Sequence, residues 1–66
     1  MESYIIKLFQ IDEFVGYISF SDRKIKTTFK LADALSFETE EKAQISAEKI
    51  IADRVGYNLT YTIKKF

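Results

Sequence analysis

The chain has 66 residues, carries ten basic and ten acidic side chains, and contains no Cys, His or Pro. Its zero net charge provides no overall field to attract a nucleic-acid backbone and no acidity of the kind that DNA mimics need. Without thiols or imidazoles it lacks the usual groups for nucleophilic catalysis and zinc binding, and no disulfide can stabilise it. We therefore expect a single domain, residues 1–66, whose stability comes from the 47% of residues that are hydrophobic.

The first two predicted strands form a hairpin. Residues 4–11 are mostly β-branched, aromatic or aliphatic, which is typical of a strand buried on much of both faces. Asp12 and Glu13 interrupt this pattern and predict a short turn before a second strand over residues 14–20. Gly16, inside that strand, indicates a β-bulge or a close approach by another side chain. Simple alternation predicts two faces for the second strand, with Phe14, Ile18 and Phe20 on one and Val15, Tyr17 and Ser19 on the other.

A polar turn over residues 21–24 leads to a third predicted strand over residues 25–31. This strand alternates regularly, which predicts a buried face with Ile25, Thr27, Phe29 and Leu31 and a solvated face with Lys26, Thr28 and Lys30. Residues 32–35 can form one helical turn, and we expect Phe37 to fix the connection against the core.

One helix is predicted from Thr39 to about residue 55. The Thr39 hydroxyl can cap the first turn, where the carboxylates of Glu40 and Glu41 complement the positive end of the helix dipole. Gly56 lies where a left-handed residue ends many helices. Spacing at 100° per residue predicts an apolar face formed by Ala43, Ala47, Ile50, Ile51 and, near its edge, Val55.

Residues 59–66 alternate again and predict a last strand. The order β-β-β-α-β predicts an α+β fold, an antiparallel sheet of about four strands with one helix packed on one face. The last strand is expected at an edge or beside the first strand. Because one helix covers only one face, we expect the aromatic residues of the opposite face to contact a partner.

No catalytic or metal site is predicted. The densest carboxylate group, Glu38, Glu40 and Glu41, is explained by its place at the start of the helix. The two glycines do not belong to a phosphate-binding loop. We expect a protein that is not an enzyme and that uses no metal or cofactor. The sequence has neither a secretory signal pattern nor an apolar run near the roughly 18 residues of a membrane span, so we expect a cytoplasmic protein with no membrane partner.

Two kinds of residue are candidates for partner binding. Basic side chains surround the third strand, with the aromatic residues Tyr17 and Phe20 nearby in sequence. This pattern can hold phosphates and stack bases, but lysines on an edge strand also prevent aggregation. An isoleucine on the far side of the helix is either a lone exposed residue or a contact for a second chain, and half-buried tyrosines suit a core rim or an interface. The candidate partner-binding residues are Tyr17, Arg23, Lys24, Lys26, Lys30, Ile45 and Tyr61.

The order of these motifs resembles small accessory proteins of bacteriophages that infect Gram-positive hosts. Such proteins open with an aromatic-Ile-Lys strand, continue through a Gly-Tyr strand and a Lys-x-Thr-Thr segment, and enter a helix through Ala-x-x-Phe-x-Thr-x-x-x-Ala. The matching positions are Tyr4, Ile6, Lys7, Gly16, Tyr17, Lys26, Thr27, Thr28, Ala34, Phe37, Thr39 and Ala43. The resemblance provides no functional residues.

The resemblance implies a protein that binds and blocks a host protein, including CRISPR effectors and other defence enzymes, in the host cytoplasm. We therefore expect a protein-binding inhibitor of anti-CRISPR type that docks on protein surface. The alternatives are a small nucleic-acid-binding protein that uses the basic strand and a structural homodimer.

Overall fold

In the computed structural model, which describes residues 3–66, four strands form one antiparallel sheet and one helix packs on it. The predicted α+β fold is therefore confirmed. The sheet order is β3-β2-β1-β4, so the last strand pairs beside the first and also forms an edge. The elements are β1 (Tyr4–Gln10), β2 (Glu13–Ser21), β3 (Lys24–Thr28), a 3-10 turn (Leu31–Asp33), α1 (Glu40–Ala52) and β4 (Leu59–Lys65).

Two-residue turns connect the three strands of the meander. Ile11 and Asp12 have φ values of 49° and 62°, and Asp22 and Arg23 have values of 52° and 61°. Two consecutive residues with positive φ form the turn that matches the twist of paired strands. The first turn was predicted one residue too late, since it lies at residues 11–12. The second was predicted too long, since residues 21 and 24 belong to the strands.

A β-bulge in β2 changes which side chains share a face. Opposite β1, Leu8 pairs with Gly16 but Phe9 pairs with Phe14, so Val15 is an extra residue. Of the two features that Gly16 indicated, the β-bulge is confirmed directly beside it, and Gly16 has a φ of 132°. The two faces predicted from simple alternation are wrong before the bulge, since Phe14 joins the face of Tyr17 while Val15 packs with the core.

The third strand is shorter than predicted. It ends at Thr28, and only Ile25 of the expected buried face packs against the core. Thr27 is exposed, and Phe29 lies beyond the strand with 72% of its surface exposed. The Thr28 hydroxyl accepts a hydrogen bond from the Lys30 N–H at 3.1 Å, a local turn that ends the alternation.

The start of α1 is confirmed and its end is earlier than predicted. Thr39 Oγ1 accepts a hydrogen bond from the Lys42 N–H at 3.1 Å. At the other end the Arg54 N–H donates to the Ile51 carbonyl and the Arg54 guanidinium donates to the Ile50 carbonyl. These bonds satisfy two carbonyls of the last turn, and the helix ends at Ala52. Val55 is consequently 85% exposed and does not extend the apolar face.

Small residues let α1 lie close to the middle of the sheet. Ala43 and Ala47 are 0% and 1% exposed and pack with Ile6, Leu8 and Ile18. The helix contacts β1 and β4 more than β2 and β3, so it lies over one half of the sheet. Phe37 packs against this core as expected and exchanges backbone hydrogen bonds with Tyr4. Within residues 3–66, α1 is the longest helix and is too short to cross a bilayer.

Candidate functional site

The sheet face opposite α1, called here the open face, carries the most concentrated set of aromatic side chains. Residues that pair across neighbouring strands point to the same face of the sheet, so the register shows which residues belong to the open face. Lys7 pairs with both Tyr17 and Thr62, and Phe9 pairs with both Phe14 and Thr60. Tyr17 in turn pairs with Thr28 on β3. Aromatic rings thus occupy the two central strands, and threonines flank them on both edges.

Four rings on this face form a connected group, called here the aromatic cluster: Phe9, Phe14, Tyr17 and Phe29. Phe14 is its centre, with ring centroids 5.7 Å from Phe9, 5.2 Å from Tyr17 and 5.9 Å from Phe29. The interplanar angles lie between 60° and 73°, which is the tilted, edge-to-face geometry that aromatic pairs prefer. Phe29 is the most exposed of the four, while the other three are half-buried.

Lys7 places a positive charge against this cluster. Its Nζ lies 5.4 Å from the ring centroid of Phe14 and 5.8 Å from that of Phe9, within the range of a cation–π contact. Within residues 3–66 no carboxylate forms an ion pair with Lys7. Lys7 is half-buried as a residue, and the rings of Phe9 and Phe14 are the contacts that its ammonium makes in the part of the chain that the structure describes.

One end of the open face is already covered. Ile5, which shares this face, is only 2% exposed, and it lies beside Leu31 and Ala34. Ser19 Oγ donates a hydrogen bond to the Asp33 carbonyl at 2.8 Å, which holds the 3-10 turn over this end of the sheet. The accessible part of the open face consequently comprises the aromatic cluster, the threonines of β4 and the exposed side chains of Lys26 and Lys64.

The predicted basic strip follows β3 and the turns at its ends. Lys26 is exposed on the open face and forms an ion pair with Asp22 at 3.4 Å. Arg23 lies in the turn before β3, and Lys30 follows the strand, both exposed. Lys24 borders a groove of about 580 Å³ between β3 and α1, whose other charged residues include both signs. The strip is therefore spread along one edge and partly neutralised.

The other candidates lie on different surfaces. Tyr17 belongs to the aromatic cluster, but Tyr61 pairs with Leu8 and packs under α1 against the core. Ile45 is on the outward side of α1 with 59% of its surface exposed, as expected. The predicted residues therefore divide among the open face, the β3 edge, the core rim and the outer helix.

The sequence interpretation missed Lys7, Phe9, Phe14 and Phe29 as members of one site. The available signal was Gly16: an extra residue at a bulge reverses the alternation before it, which would have moved Phe14 to the face of Tyr17. Phe29 was assigned to the buried face because the strand was expected to continue past Thr28.

The acidic residues at the start of α1 are separate from this site. Glu38 forms an exposed ion pair with Lys42 at 3.3 Å, and Glu40 and Glu41 occupy the first helical turn. Within the described residues, no group of three or more acidic side chains is placed to hold a metal ion.

Comparisons with protein-family models, with curated proteins and with solved structures find no match to this chain.

Proposed function

We propose that the protein is a non-enzymatic binding module that docks on another protein through the open face of its sheet. The observation that carries this proposal is the aromatic cluster around Lys7, which no other element within residues 3–66 covers. Aromatic residues anchor protein interfaces because they bury a large area at little conformational cost. The flanking threonines of β3 and β4 provide hydroxyls for the polar rim that such interfaces have.

The chemistry of the partner follows from Lys7. When a partner excludes water from the cluster, the ammonium of Lys7 loses hydration that ring contacts only partly replace. A carboxylate of the partner can compensate for that loss by a charge-assisted hydrogen bond. The surface therefore fits a protein segment in which an Asp or Glu lies among apolar side chains.

The resemblance to phage accessory proteins extends this proposal to a class of partner. By that analogy the docked protein is a host defence nuclease such as a CRISPR effector, met in the host cytoplasm. The zero net charge supports docking on protein surface rather than imitation of DNA.

Phe29→Ala is expected to weaken partner binding about 30-fold, the effect of losing an interface anchor worth roughly 2 kcal/mol. It should change stability little, because Phe29 is already 72% exposed. Phe20→Ala is the matched control, since Phe20 is 54% exposed but outside the aromatic cluster. The measurement is titration calorimetry with purified CRISPR effectors and, in parallel, inhibition of their DNA cleavage.

Quantitative affinity capture from host lysate at low and high salt extends this test to partners of other classes. The proposal expects proteins that the wild type and Phe20→Ala enrich equally and that Phe29→Ala does not, with capture that survives high salt. If no protein distinguishes Phe29→Ala from Phe20→Ala in either assay, the open face is not a docking surface.

Nucleic-acid binding is the second candidate, favoured by the position of Tyr17, Lys7 and Lys26 on one face. Two features weigh against it. Lys7 lies over the ring faces that bases would stack on, and Lys26 is paired with Asp22. If this candidate is right, oligonucleotides bind at low salt, the affinity falls steeply as salt rises, and Lys26→Glu or Lys30→Glu weakens it. Absence of any oligonucleotide shift at low salt removes this candidate.

A further inference from the structure

The two edges of the sheet differ in how they are protected from other strands. β3 has five residues, and basic side chains stand in it and in the turns beside it. Short length and lysines are the usual protection of an edge strand. β4 has seven residues, and its first five, residues 59–63, carry no charge, no proline and no bulge. The β4 edge is therefore the less protected of the two.

The hydrogen bonds at both ends of β4 establish which of its peptide groups face outward. The Ile11 N–H donates to the Asn58 carbonyl at 3.3 Å, and the Phe66 N–H donates to the Ser3 carbonyl at 2.7 Å. Residues of an antiparallel strand alternate between bonding to a neighbour and facing away from it. With the observed register, the even-numbered residues of β4 bond to β1. The peptide groups of Leu59, Tyr61 and Ile63 point to the free edge.

We propose that β4 pairs antiparallel with β4 of a second copy of the chain, across a two-fold axis at Thr62, to form one continuous eight-stranded sheet. In this register the two strands overlap over their full length, from Leu59 to Lys65. Tyr61 of each copy exchanges backbone hydrogen bonds with Ile63 of the other. The half-buried side chains of Tyr61 and Ile63 then become cross-strand neighbours on the helix side of the sheet.

The distribution of charge selects a second copy in this orientation. The basic end of β4, Lys64 and Lys65, lies beside the uncharged start of β4 in the second copy. That start borders a cavity lined by both Asp53 and Arg54, at the negative end of the α1 dipole, so the lysines of the other copy meet no net positive charge there. Self-pairing of β3 would instead set Lys24 and Lys26 against the same residues of the other copy.

The pairing would also enlarge the open face. A two-fold axis perpendicular to the sheet keeps both open faces on one side, so the two aromatic clusters are joined through the threonines of both β4 strands. The dimer stands independently of the proposed function, because it uses the strand edge and leaves both clusters accessible.

Sedimentation equilibrium and light scattering of the 66-residue chain over a wide concentration range test this. The expected result is a mass that rises to twice the 7.7 kDa of one chain. Thr62→Lys sets two introduced ammonium groups opposite each other at the axis and is expected to raise the dissociation constant about tenfold or more. Ser21→Lys is the control, since Ser21 is also exposed but lies outside β4.

Disulfide cross-linking tests the register of the paired strands. Because the chain contains no cysteine, an introduced cysteine can form a disulfide only with its copy in the second chain. Residues that face each other in a non-hydrogen-bonded antiparallel pair have Cα atoms about 4.5 Å apart, within the range that a disulfide spans. Thr62→Cys is therefore expected to form a disulfide-linked dimer on mild oxidation. Thr60→Cys should not, because Thr60 lies opposite Lys64 of the second copy.

A wild-type chain that stays monomeric at every concentration overturns the proposal. So does a dimer that Thr62→Lys leaves unchanged, or one that Thr60→Cys cross-links as readily as Thr62→Cys, because the copies then meet elsewhere. Circular dichroism reports whether Thr62→Lys folds. If it does not, the pair of cysteine variants decides. Phe29→Ala should leave the dimer intact, which separates this test from that of partner binding.

Discussion

Gly16→Ala is expected to destabilise the domain by about 3 kcal/mol. The first cause is the backbone, since at a φ of 132° an L side chain is strained by about 1–3 kcal/mol. The second is crowding, because the new Cβ would lie 3.1 Å from the Thr28 carbonyl oxygen and 3.2 Å from Thr27 Cβ. Both neighbours belong to β3, which pairing with β2 holds in place. Urea denaturation followed by circular dichroism measures the loss.

Gly56→Ala separates these two causes. Gly56 also has a positive φ, 101°, but no atom lies within 4 Å of the position that its Cβ would take. The Gly56→Ala variant should lose about 1–2 kcal/mol of stability from backbone strain alone. Gly16→Ala should in addition alter the near-ultraviolet signal of the aromatic cluster, because the bulge sets the position of Phe14. Equal losses at the two glycines would show that the contact with β3 contributes nothing.

The same bulge marks the boundary of what the sequence could predict. Alternation identified the strands, and Thr39 with the following glutamates identified the helix start, because these signals are local. The bulge at Gly16 was also expected, yet its consequence was not local: one extra residue reversed the side chains before it and moved Phe14 to the open face. The aromatic cluster depends on that reversal and was therefore missed.

The predicted end of the helix was wrong for a related reason. The helix was expected to reach about residue 55 because Gly56 is a typical end signal. The Arg54 side chain instead donates to a carbonyl of the last turn, and Gly56 takes its positive φ in the following loop. In the sequence, an arginine that caps a helix carbonyl cannot be distinguished from an arginine that is solvated. The sequence alone therefore could not place the end of the helix.

The two proposed surfaces bind through different groups of the same small sheet. The open face offers side chains, with Lys7 and the aromatic cluster determining the chemistry of a partner. The β4 edge offers peptide groups, which bind any strand of compatible register, so its selectivity comes from length and charge. A dimer joined at β4 would present two clusters and two Lys7 ammonium groups on one surface, and a partner with two matching acidic segments would gain avidity from it.

Ile6→Ala is expected to destabilise the domain by about 3–4 kcal/mol. Ile6 is 0% exposed, lies on a central strand and packs among the residues that meet α1. Its truncation removes buried methyl groups and leaves a cavity that the rigid sheet cannot close, which typically costs about 2–5 kcal/mol. A domain of this length is stable by only about 3–10 kcal/mol. Thermal unfolding should therefore show a large fall in the midpoint or a partly unfolded chain at room temperature.

Ile45→Ala makes the same change of side chain where the surroundings differ. Ile45 is 59% exposed on the outward side of α1, so its truncation should cost less than about 0.5 kcal/mol of stability. A loss close to that of Ile6→Ala would mean that Ile45 is buried by something other than residues 3–66, such as a second copy. A stable Ile45→Ala variant that binds its partner less tightly would instead identify the outer helix as a contact surface beside the open face. Measuring stability and partner affinity on the same two variants distinguishes a core residue from a contact residue.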